Sequence, residues 1–353
     1  MSVVIGVHDG HNAAAALVRD GRIELALQEE RLTRVKNQGD APGQALDMVR
    51  EHANGDASRA RIALNGNYMN YGQWRSETIL REYGRSSRLA SRIKQPFKDT
   101  LVDRVYQKRK AAARTGKLAE LGFAPGQMEP VEHHLAHASA AYYTCPWRGE
   151  KTLVLTCDGS GDRLSATVSV AEGDEITRLA QVSEHDSLGR LYALVTRHLG
   201  MTPLEHEYKV MGLAPYVTGR PAPVFGQLFE FTRNPLVWRR RRGVPSMYAA
   251  REFIDGALAG ERFDRIAAGV QLSIEQMLAT WVRNAIRETG IGRVACSGGV
   301  FMNVKANLAL LEMAEIEQLY VFPSCGDESN SIGAACRLAT QGGDRVEPLG
   351  AIY

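Results

Sequence analysis

Three of the nine histidines of this chain fall in one stretch, Val131-Glu132-His133-His134-Leu135-Ala136-His137-Ala138-Ser139-Ala140. His133 and His137 are four apart, so on a helix they share one face, one turn apart, close enough to share a metal ion. His134 lies about 100° away around the helix and is expected to be structural or to support the pair. An isolated pair of this spacing is more often a helix with surface or core histidines. It needs a third ligand and something for the metal to act on. Asp327 follows a predicted strand and precedes a predicted helix, and it offers the missing carboxylate. The bland alternative is a carboxylate at a helix N-terminus. Two histidines and a carboxylate leave positions open for water or phosphate, and they suit Fe(II), Zn or Mn. The HExxH protease reading fails, because Leu135-Ala136 supplies no glutamate base.

The elements that must hold these residues come in a pattern that occurs twice. Residues 3–8 read as an apolar strand, Asp9-Gly10-His11-Asn12 as a turn, and 13–18 and 23–28 as two further strands joined by a hairpin. Residues 152–157, the turn Asp158-Gly159-Ser160-Gly161-Asp162, and strands 164–170 and 176–182 repeat the arrangement. Helices follow in both halves. The duplication predicts an α/β chain of two similar lobes with a cleft between them, where both Asp-Gly turns face a phosphate chain or a cation. Lobe I is expected over 1–148, with an insertion at about 67–125. Lobe II is expected over 149–353, with an insertion at about 217–258 and a C-terminal helix that may cross back to lobe I. Loops 158–162, 298–303 and 325–330 each follow a predicted strand, and Gly298-Gly299 opens a helix. That arrangement fits a nucleotide lying across one end of a sheet.

Composition narrows the classes. The chain has 353 residues, 44% apolar and 24% charged, with a net charge of +3. No run of 18 apolar residues marks a membrane helix. Five scattered cysteines argue for reduced thiols and a cytoplasmic setting. The basic clusters Arg85 to Lys98 and Lys108 to Lys117 read as solvated helix faces, with an acceptor-binding lid as the functional alternative. Residues 204–216 read as a loop ending at Pro215. Trp238-Arg239-Arg240-Arg241-Arg242 could touch RNA, but it reads better as a solvated part of a helical insertion, so RNA is not the expected partner.

Taken in order, these segments resemble the nodulation-protein-U-like O-carbamoyltransferases of natural-product biosynthesis. More distantly they resemble the enzyme that makes threonylcarbamoyladenosine on tRNA. The matching segments are Asp9-Gly10-His11-Asn12-Ala13-Ala14, the run from Glu29 to Lys36, His133 to Ala138, Asp158 to Asp162, Ser187 to Tyr192, Glu207 to Ala214, Gly298 to Asn303, and Gly326-Asp327. The resemblance implies an actin/Hsp70-like (ASKHA) duplicated bilobed fold, a Kae1-like domain. It implies a metal, often iron, held by His133, His137 and Asp327, with the phosphate of carbamoyl-adenylate on that metal. It further implies a nucleoside beside Gly298, Gly299 and Asn303, with contacts from Asp158, Gly159, Ser160, Gly161, Asp162, Glu207 and Lys209. Asp9, His11 and Lys36 would face the carbamoyl group and the incoming hydroxyl of a small acceptor. The metal and Lys36 would stabilise charge, and either His11 or Asp9 would take the acceptor proton.

Members of this kind usually carry a C-terminal adenylate-forming domain like YrdC, and this sequence stops at Tyr353. The expectation is a piece cut from a longer protein, a separate YrdC-like protein that supplies the adenylate, or a different donor. The leading reading is metal-dependent O-carbamoyl transfer. A tRNA-modifying transferase and a non-catalytic nucleotide switch are the alternatives.

Overall fold

A computed structural model describes residues 2–67, Tyr83 and 101–350. The cluster Arg85 to Lys98, and most of the insertion expected at 67–125, lie outside the described residues.

The first half builds β1 (Val3–His8), β2 (Ala14–Arg19), β3 (Arg22–Gln28), α1 (Glu29–Thr33), α2 (Gly43–His52), β4 (Arg61–Asn65), α3 (Leu101–Glu120), β5 (Met128–Val131) and α4 (His133–Tyr143). The second builds β6 (Thr152–Gly161), β7 (Leu164–Glu172), β8 (Glu175–Ser183), α5 (Leu188–His198), α6 (Glu207–Leu213), β9 (Phe229–Phe231), β10 (Trp238–Arg240), α7 (Arg251–Ala257), α8 (Phe263–Thr289), β11 (Arg293–Ser297), α9 (Val304–Leu311), β12 (Gln318–Val321) and α10 (Ser329–Gln341). One sheet has the order β3-β2-β1-β4-β5 and the other β12-β11-β6-β7-β8. In each, three antiparallel strands come first and two parallel strands are added on the far side of the first strand. The two sheets therefore share one topology, written twice along the chain.

Residue pattern explains which strands lie inside. β1 is buried along its whole length and β2 up to its last residue, as apolar runs covered on both faces must be. The edge strands β3 and β8 alternate exposed with half-buried or buried positions, one face to solvent and one to the core. The last helix, α10, lies against β1, β2, β4 and α4. Two glycines make this possible. A Cβ on Gly6 would meet the Ser331 carbonyl oxygen at 1.8 Å, and one on Gly333 would meet the Ala136 carbonyl oxygen at 1.9 Å. Backbone-to-backbone packing thus brings the start of α10, just after Asp327, beside the histidine helix α4.

Some expectations change. Residues 204–216 hold α6 and a short turn of 3-10 helix, Ala214–Tyr216, rather than a loop. Pro215 sits in the first turn of that element, where a missing N–H costs nothing. The Trp238 run is a strand and not a helical face. Trp238 is buried against Trp281, with ring centroids 5.0 Å apart, and its Nε1 donates to the Asp186 carbonyl at 2.8 Å. Arg239 pairs with Glu230 at 3.0 Å, Arg240 with Asp186 at 2.5 Å, and Arg241 donates to the Phe229 carbonyl at 3.1 Å. These contacts fasten the strand within the second half, while Arg239, Arg241 and Arg242 remain exposed. Among the described residues no helix is long and apolar enough to cross a membrane.

Candidate metal centre

The histidine helix starts where it does because carboxylates hold its first amides. Glu132 accepts from the N–H groups of His134 at 3.1 Å and Leu135 at 2.7 Å. β6 runs on through Asp158-Gly159-Ser160-Gly161, where a turn was expected, and Asp162, just past its end, accepts from the His133 N–H at 2.8 Å. Those acceptors satisfy three donors that a helix start leaves open. Gly161 gives the His133 ring its space: a Cβ there would lie 2.1 Å from the imidazole.

The rings then converge on two aspartates. His133 Nε2 is 3.3 Å from Asp158 Oδ2 and 3.5 Å from Asp327 Oδ1, and His137 Nε2 is 3.5 Å from the same Asp327 oxygen. One donor atom from each of His133, His137, Asp158 and Asp327 can be chosen so that all four lie within 4.8 Å of one another. Bonds of about 2.0–2.1 Å to an ion at angles near 90–110° would set neighbouring donors roughly 3.0–3.4 Å apart. Asp327 Oδ1 is buried with no hydrogen bond within the usual distance and lies 3.5 Å from each of two imidazole nitrogens. The donor set fits a divalent cation.

The electrostatics agree. Burial opposes charging His133, but Asp327 and Asp158 outweigh it and hold the ring up at about 9. Burial also opposes the Asp158 charge, and the histidines, His133 first, outweigh it and pull the carboxyl below its ordinary range. Asp327 is lowered as well: burial and Asp158 oppose its charge, and His133 and His137 prevail. Asp158, expected among the nucleotide contacts, thus stands in the metal group.

The remaining expected residues separate into groups. Asp9 is buried, and both its oxygens accept from Arg114: Nε to Oδ2 at 2.6 Å and Nη2 to Oδ1 at 2.7 Å. Arg114 also donates to the carbonyls of Gly66 and Asn65, each at 2.6 Å. Arg114 thus takes both oxygens of Asp9, one of the two candidate bases. Its burial also corrects the Lys108 to Lys117 run as a solvated face. Burial lowers the His11 pKa, against the pull of Asp327 and Asp158, so the ring is neutral at neutral pH. Lys36 is 58% exposed and pairs with Glu205 across the cleft at 3.5 Å.

Gly298 has φ +107°, and a Cβ there would meet the Cys157 carbonyl at 2.4 Å. The Gly299 N–H donates to Asp158 Oδ1 at 3.0 Å. Ser160 Oγ accepts from Tyr248 at 2.7 Å, while no atom stands within 4 Å of where a Gly159 Cβ would be. Asn303, expected beside a nucleoside, caps α9 through Ala306 N at 3.0 Å and exchanges hydrogen bonds with Gln271. Glu207 accepts from Leu204 N at 2.8 Å, and its pKa is raised by burial. Lys209 is exposed beside Tyr208.

Sequence reasoning missed His8 and Arg114. His8 is the last residue of an apolar strand and carries no spacing signal. Its Nδ1 accepts from Asn65 Nδ2 at 2.8 Å, its Nε2 donates to the His11 carbonyl at 2.7 Å, and that Nε2 is 3.9 Å from Asp327 Oδ2. Burial lowers it to about 4 against Asp327, so it is neutral. Arg114 lay within a basic run, and only the tertiary fold reveals its partner.

Comparison with known proteins follows this geometry. The family described as carbamoyltransferase N-terminus matches residues 3–336. Nodulation protein NolNO of Sinorhizobium fredii is 29% identical over 361 aligned positions, 97% of this chain and 48% of that protein. An uncharacterized protein of Synechocystis is 28% identical over 350 positions, 92% of this chain and 55% of that protein. The chain spans about half the length of these relatives. The structure of component A of (R)-2-hydroxyglutaryl-CoA dehydratase from Acidaminococcus fermentans is similar with a TM-score of 0.50 at 16% identity, covering 97% of this chain and 100% of that one. The activator of 2-hydroxyisocaproyl-CoA dehydratase from Clostridium difficile, with bound ADPNP, gives 0.50 at 13% identity, covering 99% and 100%. These likenesses and the doubled sheet topology are those of the two-lobed actin/Hsp70-like fold.

Proposed function

The chain belongs to the carbamoyltransferase family, and from that premise we propose that it is a metal-dependent O-carbamoyltransferase. It moves a carbamoyl group from carbamoyl-adenylate, an ATP-derived nucleotide, to a hydroxyl of a small natural-product acceptor. A YrdC-like protein or domain beyond the described residues supplies the adenylate. The observation that carries this reading is the buried group His133, His137, Asp158 and Asp327, with its donor atoms within 4.8 Å. The similarly folded activator binds ADPNP, which supports a nucleotide as a ligand of this fold here.

These four residues would hold a divalent ion, Fe(II) by the family resemblance with Zn or Mn as alternatives, and it would supply a Lewis acid for the charge on the leaving phosphate. The chain's own residues do the rest. Gly298 and Gly299 offer bare backbone to the nucleotide at the start of the 3-10 turn Gly299–Met302. Lys36, on the other lobe, adds positive charge at the mouth. His11 takes the acceptor's hydroxyl proton as its oxygen attacks the carbamoyl carbon and the bond to the AMP oxygen breaks; its neutral ring at neutral pH suits that task. Asp9 holds Arg114 instead.

The test is mass spectrometry of a panel of hydroxylated acceptors with carbamoyl phosphate and ATP, with and without an added YrdC-like protein. Carbamoylated product only with the added protein is the expected result. No product in either arm, nor with carbamoyl-adenylate itself, overturns the proposal.

A further inference from the structure

Two neighbouring parallel strands each offer a hydroxyl to the histidine helix. Thr156 on β6 and Ser297 on β11 are register partners. Thr156 Oγ1 is 2.8 Å from His134 Nδ1, and Ser297 Oγ is 3.2 Å from His137 Nδ1. Both hydroxyl-bearing residues are fully buried. The close approach of the strands depends on Gly298, where any Cβ would strike the Cys157 backbone.

The donors and acceptors around His137 fix its proton. Asn330 Nδ2 is 3.1 Å from His137 Nε2. Where Nε2 accepts from this amide, the neutral ring carries its proton on Nδ1. The remaining partner of that Nδ1–H is the Ser297 hydroxyl. In this tautomer the Nε2 lone pair is directed at the space beside Asp327 Oδ1. Asn330 Oδ1 is buried without a hydrogen bond.

We propose that Ser297 is a positioning residue: its hydroxyl accepts the Nδ1–H of His137 and locks the tautomer that presents Nε2 to the metal. The inference rests on the reading of His137 as a metal ligand. It assigns a role to the residue just before Gly298-Gly299, which the family resemblance links to nucleotide. A ligand histidine that loses the acceptor for its other ring nitrogen typically costs roughly 10–100-fold in metal affinity.

The experiment uses the metal-free protein, cobalt(II) as the probe, and the variants Ser297→Ala and Ser297→Thr. Calorimetric titration reads the affinity. Nuclear magnetic resonance of isotope-labelled imidazole nitrogens, recorded without metal, reads the His137 tautomer. Ser297→Ala is expected to bind cobalt roughly 10–100-fold more weakly and to show His137 with its proton shared between both nitrogens. Ser297→Thr, which keeps the hydroxyl, is expected to restore both. Unchanged affinity and unchanged nitrogen signals in Ser297→Ala overturn the role of Ser297 alone, as does equal weakening by Ala and Thr. A wild-type protein that does not bind cobalt overturns the metal reading, and this inference with it.

Discussion

The two Asp-Gly turns occupy the same place in two copies of one sheet, and they do different work. Asp9 follows β1, while Asp158 lies within the last part of β6, where its pairing with β7 is irregular, and each is buried beside the central strand of its sheet. Asp9 meets a guanidinium, held by two nitrogens of Arg114. Asp158 meets His133 at 3.3 Å, with the Gly299 N–H on its other oxygen. The first pair is a strong, satisfied ion pair that ties α3 to the ends of β1 and β4. The second is a partly satisfied anion in a group that attracts a cation. Duplication copied the backbone, and the side chains that arrive from outside the repeat decided what each copy does. Arg114 comes from the helix between β4 and β5, and His133 from the helix after β5.

If that contrast holds, removing Arg114 should damage the fold. Arg114→Met leaves Asp9 buried without its partner, and loss of one member of a buried pair costs roughly 3–5 kcal/mol. Urea unfolding should show that loss, and the double variant Asp9→Leu with Arg114→Met should recover much of it. A midpoint unmoved by Arg114→Met would mean Asp9 is not held by this pair.

The matching change in the other copy should act on the metal instead. Asp158→Asn is expected to weaken divalent-ion binding by more than about 100-fold, beyond what partners outside the ligand set achieve. Binding calorimetry with cobalt(II) checks it. Undiminished affinity would return Asp158 to the nucleotide contacts.

A smaller effect comes from the proton on His133. Its pKa in the metal-free fold is raised from 6.5 to about 9, because Asp327 and Asp158 outweigh burial. This charge stabilises the metal-free fold fully below pH 6.5, and the contribution is lost as pH rises through about 9. A cation on Nε2 must displace the proton, so binding near neutral pH should release about one proton. The release should fade as pH passes 9. Titrations in buffers of different ionisation heat measure it, and a release that ignores pH contradicts the account.

The smallest expected change is in stability on Lys36→Ala. Lys36 is exposed although its partner Glu205 is largely buried, and a pair with one solvated, mobile partner at 3.5 Å contributes roughly 0–1 kcal/mol. Any large fall in transfer by this variant, with melting unchanged, would then belong to the chemistry at the cleft mouth.

Much of this was legible in the sequence because it is local. Alternating or apolar runs gave the strands, the Asp-Gly turns gave the repeat, and the four-residue spacing of His133 and His137 survives any packing of the helix. Asp327 was legible because it sits between a strand and a helix. What stayed hidden depends on contacts distant in the chain. Nothing near Arg114 distinguishes it from the exposed Arg109 on the same helix, since its partner Asp9 is 105 positions away. His8 ends an apolar strand, where its imidazole carries no pattern. Ser297 was overlooked beside Gly298-Gly299, whose flexibility drew the reading toward a ligand. The helix Glu207–Leu213 was hidden by the glycine and proline near its end, which suggest a loop when tertiary packing is unknown.

The central claim is that the second Asp-Gly turn and the histidine helix form a metal centre. Its most direct test is the metal content of the purified protein and of His137→Ala, measured by elemental mass spectrometry. The account predicts a stoichiometric divalent ion in the wild type and its loss in the variant. A wild type without metal after exposure to Fe(II), Zn or Mn, or a variant that retains as much as the wild type, would contradict it.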